Sequence, residues 1–412
     1  MPAQEQTGFV NADAVLKDWY DDGKIEPQVI TESVLLKKVE ATDRDIVVDN
    51  VGGRQVVFPV RRGLTQGLGA RGRSEPNPKA RKQLLDKCNF PMKKLVARVQ
   101  IEGEAWRATL GAGKKAFISL IAEETNQALM GFTKDMNWQL YSDGTGLRGT
   151  VTTGSAAGAD VDVIVDDIRG FYEDMLLDLY TAAGVLKKAD LVVTSVDVDT
   201  KTISIEDTDG SAIVAGEKFY RAGNKDREVM GFKGMINDTS GVATFQGLTV
   251  ADKGYWRSLI LRNGGTDRPL STNLMERAWL NSMKQDRLPA DLILLDFDQH
   301  RAYSELLVTD KRFAEGSGRP ILDGGYKRLA YNGVALETDV DHPAKQITFA
   351  KSRYLRLYRQ TGFIWKQSPD MTAIWKQVEG YDAYEATAYW EGEFATKRRN
   401  AHDRIEELEV PS

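Results

Sequence analysis

A chain of 412 residues and 45.9 kDa is too long for one ordinary core and should hold two or three domains. Its 42% hydrophobic and 28% charged residues are the balance of a folded protein, and 55 basic against 60 acidic residues, net −5, exclude a globally basic nucleic-acid binder. One cysteine, Cys88, excludes a disulfide framework and a multi-cysteine metal site, and the apolar runs are too short to span a bilayer.

Residues 1–45 are polar and mixed and read as an extended or partly helical arm. Glu5, Asp13 and Asp18 leave no basic-then-apolar pattern, so no secretory leader is expected. From Asp45 to Val60 the β-branched content rises, and Leu95, Ala97, Val99 and Ile101 alternate with polar neighbours. These two runs are expected to pair as a projecting hairpin. Between them lies a tip rich in glycine, proline and arginine.

The strongest helical pattern follows Gly113. Phe117, Ile121, Thr125, Ala128, Phe132, Met136 and Leu140 recur at steps of three and four, predicting one helix from Lys114 to Tyr141, roughly 42 Å long. Ser142-Asp143-Gly144 ends it. In the acidic stretch 160–178, Val161, Val163 and Val165 alternate as a strand, while Phe171, Met175 and Leu179 read as a short helix. Short runs of period two between turn signals predict a small β domain over 191–262. Helical periodicity resumes around Leu274, Ala278 and Met283. A buried strand is expected at 292–295, a helix at 302–308, strands at 347–349, 354–358 and 384–389, and then a charged tail. The fold class is α+β with an inserted β block.

Sites of chemistry are scarce. Two segments match G-x-G-x-x-G, at Gly67–Gly72 and Gly144–Gly149, but neither sits between a strand and a helix, as a dinucleotide site requires. Asp197-Val-Asp199-Thr-Lys201 begins like a calcium loop yet lacks its glycine and its closing glutamate, so it reads as a strand leading to a turn. His300, His342 and His402 have no zinc-ligand spacing, and no G-x-S-x-G elbow marks a nucleophile. Cys88, between Lys87 and Asn89, reads as an incidental surface thiol. No cofactor, metal site or catalytic constellation is expected, and the chain reads as no enzyme.

Charge is more telling. Nine basic residues from Arg54 to Lys87 face only Glu75 and Asp86, a local net of +7, while 160–178 carries seven acids against Arg169, a local net of −6. No aromatic residue interleaves with the arginines, so base stacking has no platform. The candidate inter-subunit contacts are therefore Arg61, Arg62, Arg71, Arg73, Lys79, Arg81 and Lys82 on one side. Asp160, Asp162, Asp166, Asp167, Glu173 and Asp174 of another copy form the other.

This order of arm, basic hairpin, long helix ending in Asp143-Gly144-Thr145-Gly146 and mixed domain resembles the major capsid proteins of tailed bacteriophages, the Hong Kong 97-type fold. Pro289-Ala290-Asp291-Leu292-Ile293-Leu294 and Tyr331-Asn332-Gly333-Val334-Ala335-Leu336 resemble that family's axial domain. The resemblance implies an N-terminal arm at 1–45, an extended hairpin (E-loop) at 46–102, and a spine helix with peripheral domain at 103–190. It further implies an inserted β-rich domain at 191–262, an axial domain at 263–365, and a return through the peripheral domain with a C-terminal tail at 366–412. The implied function is a shell protein made in the host cytoplasm. It would assemble as hexamers and pentamers into a virion head around double-stranded DNA, without sequence-specific DNA binding and without a membrane. Scaffold, portal and decoration proteins are the candidate further partners. An encapsulin-type nanocompartment shell enclosing a cargo enzyme is the alternative, and a cytoplasmic enzyme with a β-barrel insertion is the third reading.

Overall fold

The computed structural model describes residues 35, 47–50, 53, 55–64, 67–79, 82–104, 114–156, 158, 160–207, 210–238, 242–311, 329–367 and 374–411, the side chains of 47–50, 114–123 and 308–311 excepted. The expected arm at 1–45 lies outside the described residues, apart from the buried Leu35.

Strand β1 (Val47–Asn50) is followed by a hairpin of β2 (Gln55–Arg61) and β3 (Leu85–Pro91), in register from Gln55↔Pro91 to Arg61↔Leu85. The return strand is thus not the 95–101 run. That run is β4 (Lys93–Glu102), which pairs over ten residues with the long strand β20 (Ala383–Thr396). The partner changes at Pro91, which has no N–H with which to prolong the first ladder. Alternation along β3 also corrects the reading of Cys88. Lys87 and Asn89 face outward, while Cys88 and Phe90 face the core, where burial pushes the thiol up to about 12.

Helix α1 occupies Lys114–Tyr141 as its periodicity predicts. Phe132 is half-buried against Phe363, ring centroids 4.7 Å apart, and Met136 and Leu140 are in the core. The last turns differ from a simple stripe: every residue from Asp135 to Tyr141 is buried, polar ones included. Gly144 (φ 77°) and Gly146 (φ 81°) then turn the chain in the left-handed region that glycine enters without strain. The second glycine motif is this turn.

A closed antiparallel barrel follows, built from β5 (Leu147–Thr153), β6 (Asp160–Val165), β7 (Leu176–Tyr180), β8 (Leu186–Asp197), β9 (Thr202–Glu206) and β10 (Lys218–Arg221). Its order, β10-β5-β6-β9-β8-β7, returns to β10. Strict alternation along β6 puts Val161, Val163 and Val165 inside with Leu177, Leu191, Ile203 and Phe219. The barrel therefore spans 147–221 rather than 191–262, because closing it needs the strands on both sides of the acidic stretch. Phe171 and Met175 lie in a turn and Leu179 on β7, not on a short helix; all three fill the barrel core. The calcium-like segment is the β8–β9 turn, where Asp197 accepts from the backbone N–H of Asp199 and Thr200.

Residues 222–262 belong to the main core. The short helix α2 (Phe232–Met235), β11 (Thr244–Phe245), β12 (Leu248–Thr249) and Trp256 pack with the end of α1 and with Phe394. Beyond them, β13 (Leu259–Leu261), α3 (Thr272–Asp286), β14 (Leu292–Leu295), α4 (Phe297–Lys311), β15 (Ala330–Tyr331), β16 (Val334–Thr338) and β17 (Ile347–Ala350) build a second domain. Ser271 caps α3, its side chain accepting from the N–H of Leu274 at 3.3 Å. The sheet runs β13-β21-β17-β14-β16-β15, where β21 is Asp403–Ile405. Part of the expected charged tail, Asp403–Ile405, is thus a wholly buried strand inside this sheet, with ladder partners on both sides. Meanwhile β18 (Leu355–Trp365) and β19 (Lys376–Gln377) join β1, β4 and β20 in a five-stranded sheet.

Candidate functional site

The hairpin has an anchored base and a bare tip. At the base, Phe58, Phe90 and Tyr358 form an aromatic cluster, with Phe90 and Tyr358 5.4 Å apart. Asp86 accepts from Tyr255 and from Lys253, and the Tyr255 hydrogen bond, with Lys253 adding to it, holds the carboxyl below its ordinary range. Between Arg61 and Leu85 none of the described residues lies in a helix or strand. Arg61, Arg62, Arg71, Arg73, Lys79 and Lys82 are all exposed, and Arg81 lies outside the described residues. Leu64 and Leu68 are also exposed, at 83% and 80%.

The acids divide by role. Asp160 and Asp162 point outward from β6, and Asp162 accepts from the Ser204 hydroxyl at 2.6 Å. Asp166 accepts from the N–H of Thr150 and of Asp167 in the following turn. Asp167 is paired with Arg169, whereas Glu173 and Asp174 are exposed. Asp178 is buried and takes the N–H groups of Asp190 and Gly223, so backbone donors rather than a cation satisfy it. Among the described residues no ion pair joins these acids to the basic tip within one chain.

Behind both surfaces lies a buried ionic junction with no signal in the sequence. Asp135 near the end of α1 meets Arg148 of β5 and Arg221 of β10, the latter at 2.9 Å. Arg148 also meets Glu228 at 2.8 Å and lies over the Trp138 ring, 5.1 Å from its centroid. Gln139 donates to Asp135 and accepts the N–H of Val229. Burial pushes the Asp135 carboxyl up, but Arg148 and Arg221 outweigh it and hold the group below its ordinary range. Helix, barrel and the segment after the barrel are thereby tied together by ion pairs.

A second polar ring ties α1 to the second domain. Asn137 donates to Asp339 at 3.1 Å and to Asp341, and Arg169 donates to the backbone oxygen of His342. Burial pushes Asp341 up to about 6 and holds His342 and His402 down at about 3, so both histidines are neutral and act as core hydrogen-bonding groups. Among the described residues no group of three or more His, Cys, Asp or Glu could hold a metal ion, and no helix is long and apolar enough to cross a membrane.

No protein-family model matches the chain, and no curated protein matches its sequence. Solved structures do match. The chain superposes on the cyanophage A-1(L) capsid asymmetric unit with a TM-score of 0.59 at 10% identity, covering 94% of this chain and 95% of that one. The capsid of the native GTA particle, computed with C5 symmetry, gives 0.54 at 10% identity over 99% and 100%. The empty GTA particle gives 0.51 at 9% identity over the same shares. The chain has a capsid-protein fold. At such identity the likeness lies in topology, and the capsid fold here agrees with the α+β class read from the sequence.

Proposed function

We propose that this chain is the major capsid protein of a tailed phage, assembling as hexamers and pentamers into a head around double-stranded DNA. The observation that carries this reading is the two-way coverage, 94% of this chain and 95% of the cyanophage capsid chain, so the likeness extends far beyond a single shared module. In this reading α1 is the spine helix and the β2–β3 hairpin with its tip is the E-loop. The five-stranded sheet belongs to the peripheral domain and the six-stranded sheet to the axial domain. The barrel at 147–221 is the insertion. Shell proteins need no reaction centre, and the buried histidines and paired charges described above suit a structural role. The matched structures are capsids of a cyanophage and of GTA particles, which favours a phage-type shell over an enzyme-filled compartment.

Neighbouring copies would meet where the exposed bases of the tip face Asp160, Asp162, Asp166, Asp167, Glu173 and Asp174 of another barrel. Asp167 shares its charge with Arg169, so Asp160, Asp162, Glu173 and Asp174 carry most of this contact. Each exposed pair contributes only about 0.2–1 kcal/mol, but symmetry repeats the set in every subunit. Electron microscopy of the expressed chain, alone and with scaffold and portal proteins, tests the function. Closed shells of uniform size are expected; a monomer that persists under all conditions would overturn the reading.

A further inference from the structure

Between the base of the hairpin, the turn after α1 and strand β20 lies an open cavity of about 240 Å³, bordered on one side by Glu228 of the ionic junction. Its walls are apolar, formed by Phe90, Met230, Phe245 and Phe394, and two buried acids, Glu228 and Glu393, open onto it. The Glu393 carboxyl accepts the N–H of Met230 at 2.7 Å and of Phe394 at 3.3 Å and, among the described residues, has no basic side chain within ion-pair distance. Glu228 gives one oxygen to Arg148 and Asn224, while its other oxygen, Oε2, is buried without a partner. A rival cation, Lys93, also lines the cavity, but its Nζ donates to the carbonyl oxygen of Asp226 at 2.9 Å.

An orphaned carboxylate oxygen costs the native state unless a donor reaches it. Burial also pushes the Glu393 carboxyl up to about 8, with Lys93 opposing, so the cavity holds a carboxyl short of positive charge. With two acids and no third ligand it does not make a metal site. A primary ammonium brings three donors, and its aliphatic stem can lie along aromatic and methionine walls. We propose that this cavity binds an alkylammonium ion, with its N–H groups on Glu228 Oε2 and Glu393 and its methylene chain against Phe90, Met230, Phe245 and Phe394. The inference stands apart from the proposed function, since it needs only the folded chain.

Thermal-shift and calorimetric titrations of the full chain with butylamine, 1,4-diaminobutane and tetramethylammonium test it. The two primary amines should raise the melting temperature with dose, by mass action on the native state. Tetramethylammonium, with the same charge as butylammonium but without N–H groups, should not. Glu393→Gln, which keeps the acceptor for Met230 and Phe394, should weaken amine binding at least about tenfold. Lys93→Gln, which removes the rival cation, should strengthen it. Titration of assembled particles separates two sources of the same chemistry. A free amine binds subunit and particle alike, whereas a lysine side chain supplied by a neighbouring copy would exclude it from particles only. An absent shift in wild type, an equal shift with tetramethylammonium, or unchanged affinity in both variants would mean that the cavity holds water alone. If Glu393→Gln fails to fold, Lys93→Gln decides the matter by itself, and unchanged affinity there overturns the proposal.

Discussion

Arg148 and Arg221 at the foot of the barrel, and Arg71 and Arg73 at the tip of the hairpin, are the same residue in opposite settings. The first two contact carboxylates of other elements, and Arg148 is only 3% exposed. The second two are exposed and reach no carboxylate in an ion pair among the described residues. A buried charge left without its partner costs several kcal/mol, while an exposed pair is worth about 0.2–1 kcal/mol. Stability of the single subunit is therefore concentrated at the barrel foot. The tip contributes little to it and is free for another molecule.

Four experiments break or sharpen that contrast. Arg148→Met leaves Asp135 and Glu228 short of their shared cation, and should cost about 3–5 kcal/mol in chemical denaturation. Excising 147–221 is a related test at smaller net cost. The flanking backbones already meet, with Asp226 N–H donating to Thr145 oxygen at 2.8 Å, so a short Gly-Ser linker should span the gap. The excised chain loses both arginines at once and should be destabilised by the stranded Asp135. Adding Asp135→Leu should restore a cooperative unfolding transition and the helical circular-dichroism signal. Equal stability with and without that second change would mean that the junction carries little energy.

The third concerns a buried acid without a cation. Glu393 holds its proton to about pH 8 in the native state but gives it up near 4.5 when unfolded. Between those values the native state binds more protons, so stability should fall as pH rises, at about 1.4 kcal/mol per pH unit from this group. Glu393→Gln should match wild type near pH 4.5 and exceed it at pH 8, in denaturation curves collected without added amine. A constant difference across that range would mean that the carboxyl is ionised throughout. The smallest effect on the fold belongs to the tip. Arg71→Glu, Arg73→Glu and Lys79→Glu together should change subunit stability by less than about 0.5 kcal/mol. They should nonetheless weaken assembly, read by light scattering, and added salt should weaken the wild type in the same direction. Undiminished assembly at low salt would assign the contact to Leu64, Leu68 and backbone groups instead.

The sequence was legible where one element carries its own pattern. The span of α1, the alternation of β6 and the apolar run of β14 each follow from a local pattern, and each lies where it was expected. It was misleading where pairing is long-range. Nothing local in 95–101 reveals that β20, almost three hundred residues later, offers a longer ladder than the hairpin does. The barrel boundaries slipped for the same reason, since β10 closes onto both β5 and β7. Of the candidate site, the basic tip is visible in composition. The ionic junction is not, because Asp135 and Gln139 find their partners, Arg148, Arg221 and the N–H of Val229, on elements far away in sequence. The environment of Cys88 was misread because its polar neighbours face the other way.

The placement of β21 also bears on how the molecule is made. It lies between β13 and β17, joined in parallel to one and antiparallel to the other, and β13 has no other partner in its sheet. Translation delivers residues 403–405 long after 259–261, so that edge waits on the ribosome, with Leu261 and Ile260 lacking their ladder until then. The barrel needs nothing beyond Arg221 to close and can fold while the rest is still being synthesised. The second sheet therefore closes only once residue 405 is made, well after the barrel is complete. That delay separates the time at which a nascent chain gains its barrel from the time at which its second sheet is complete.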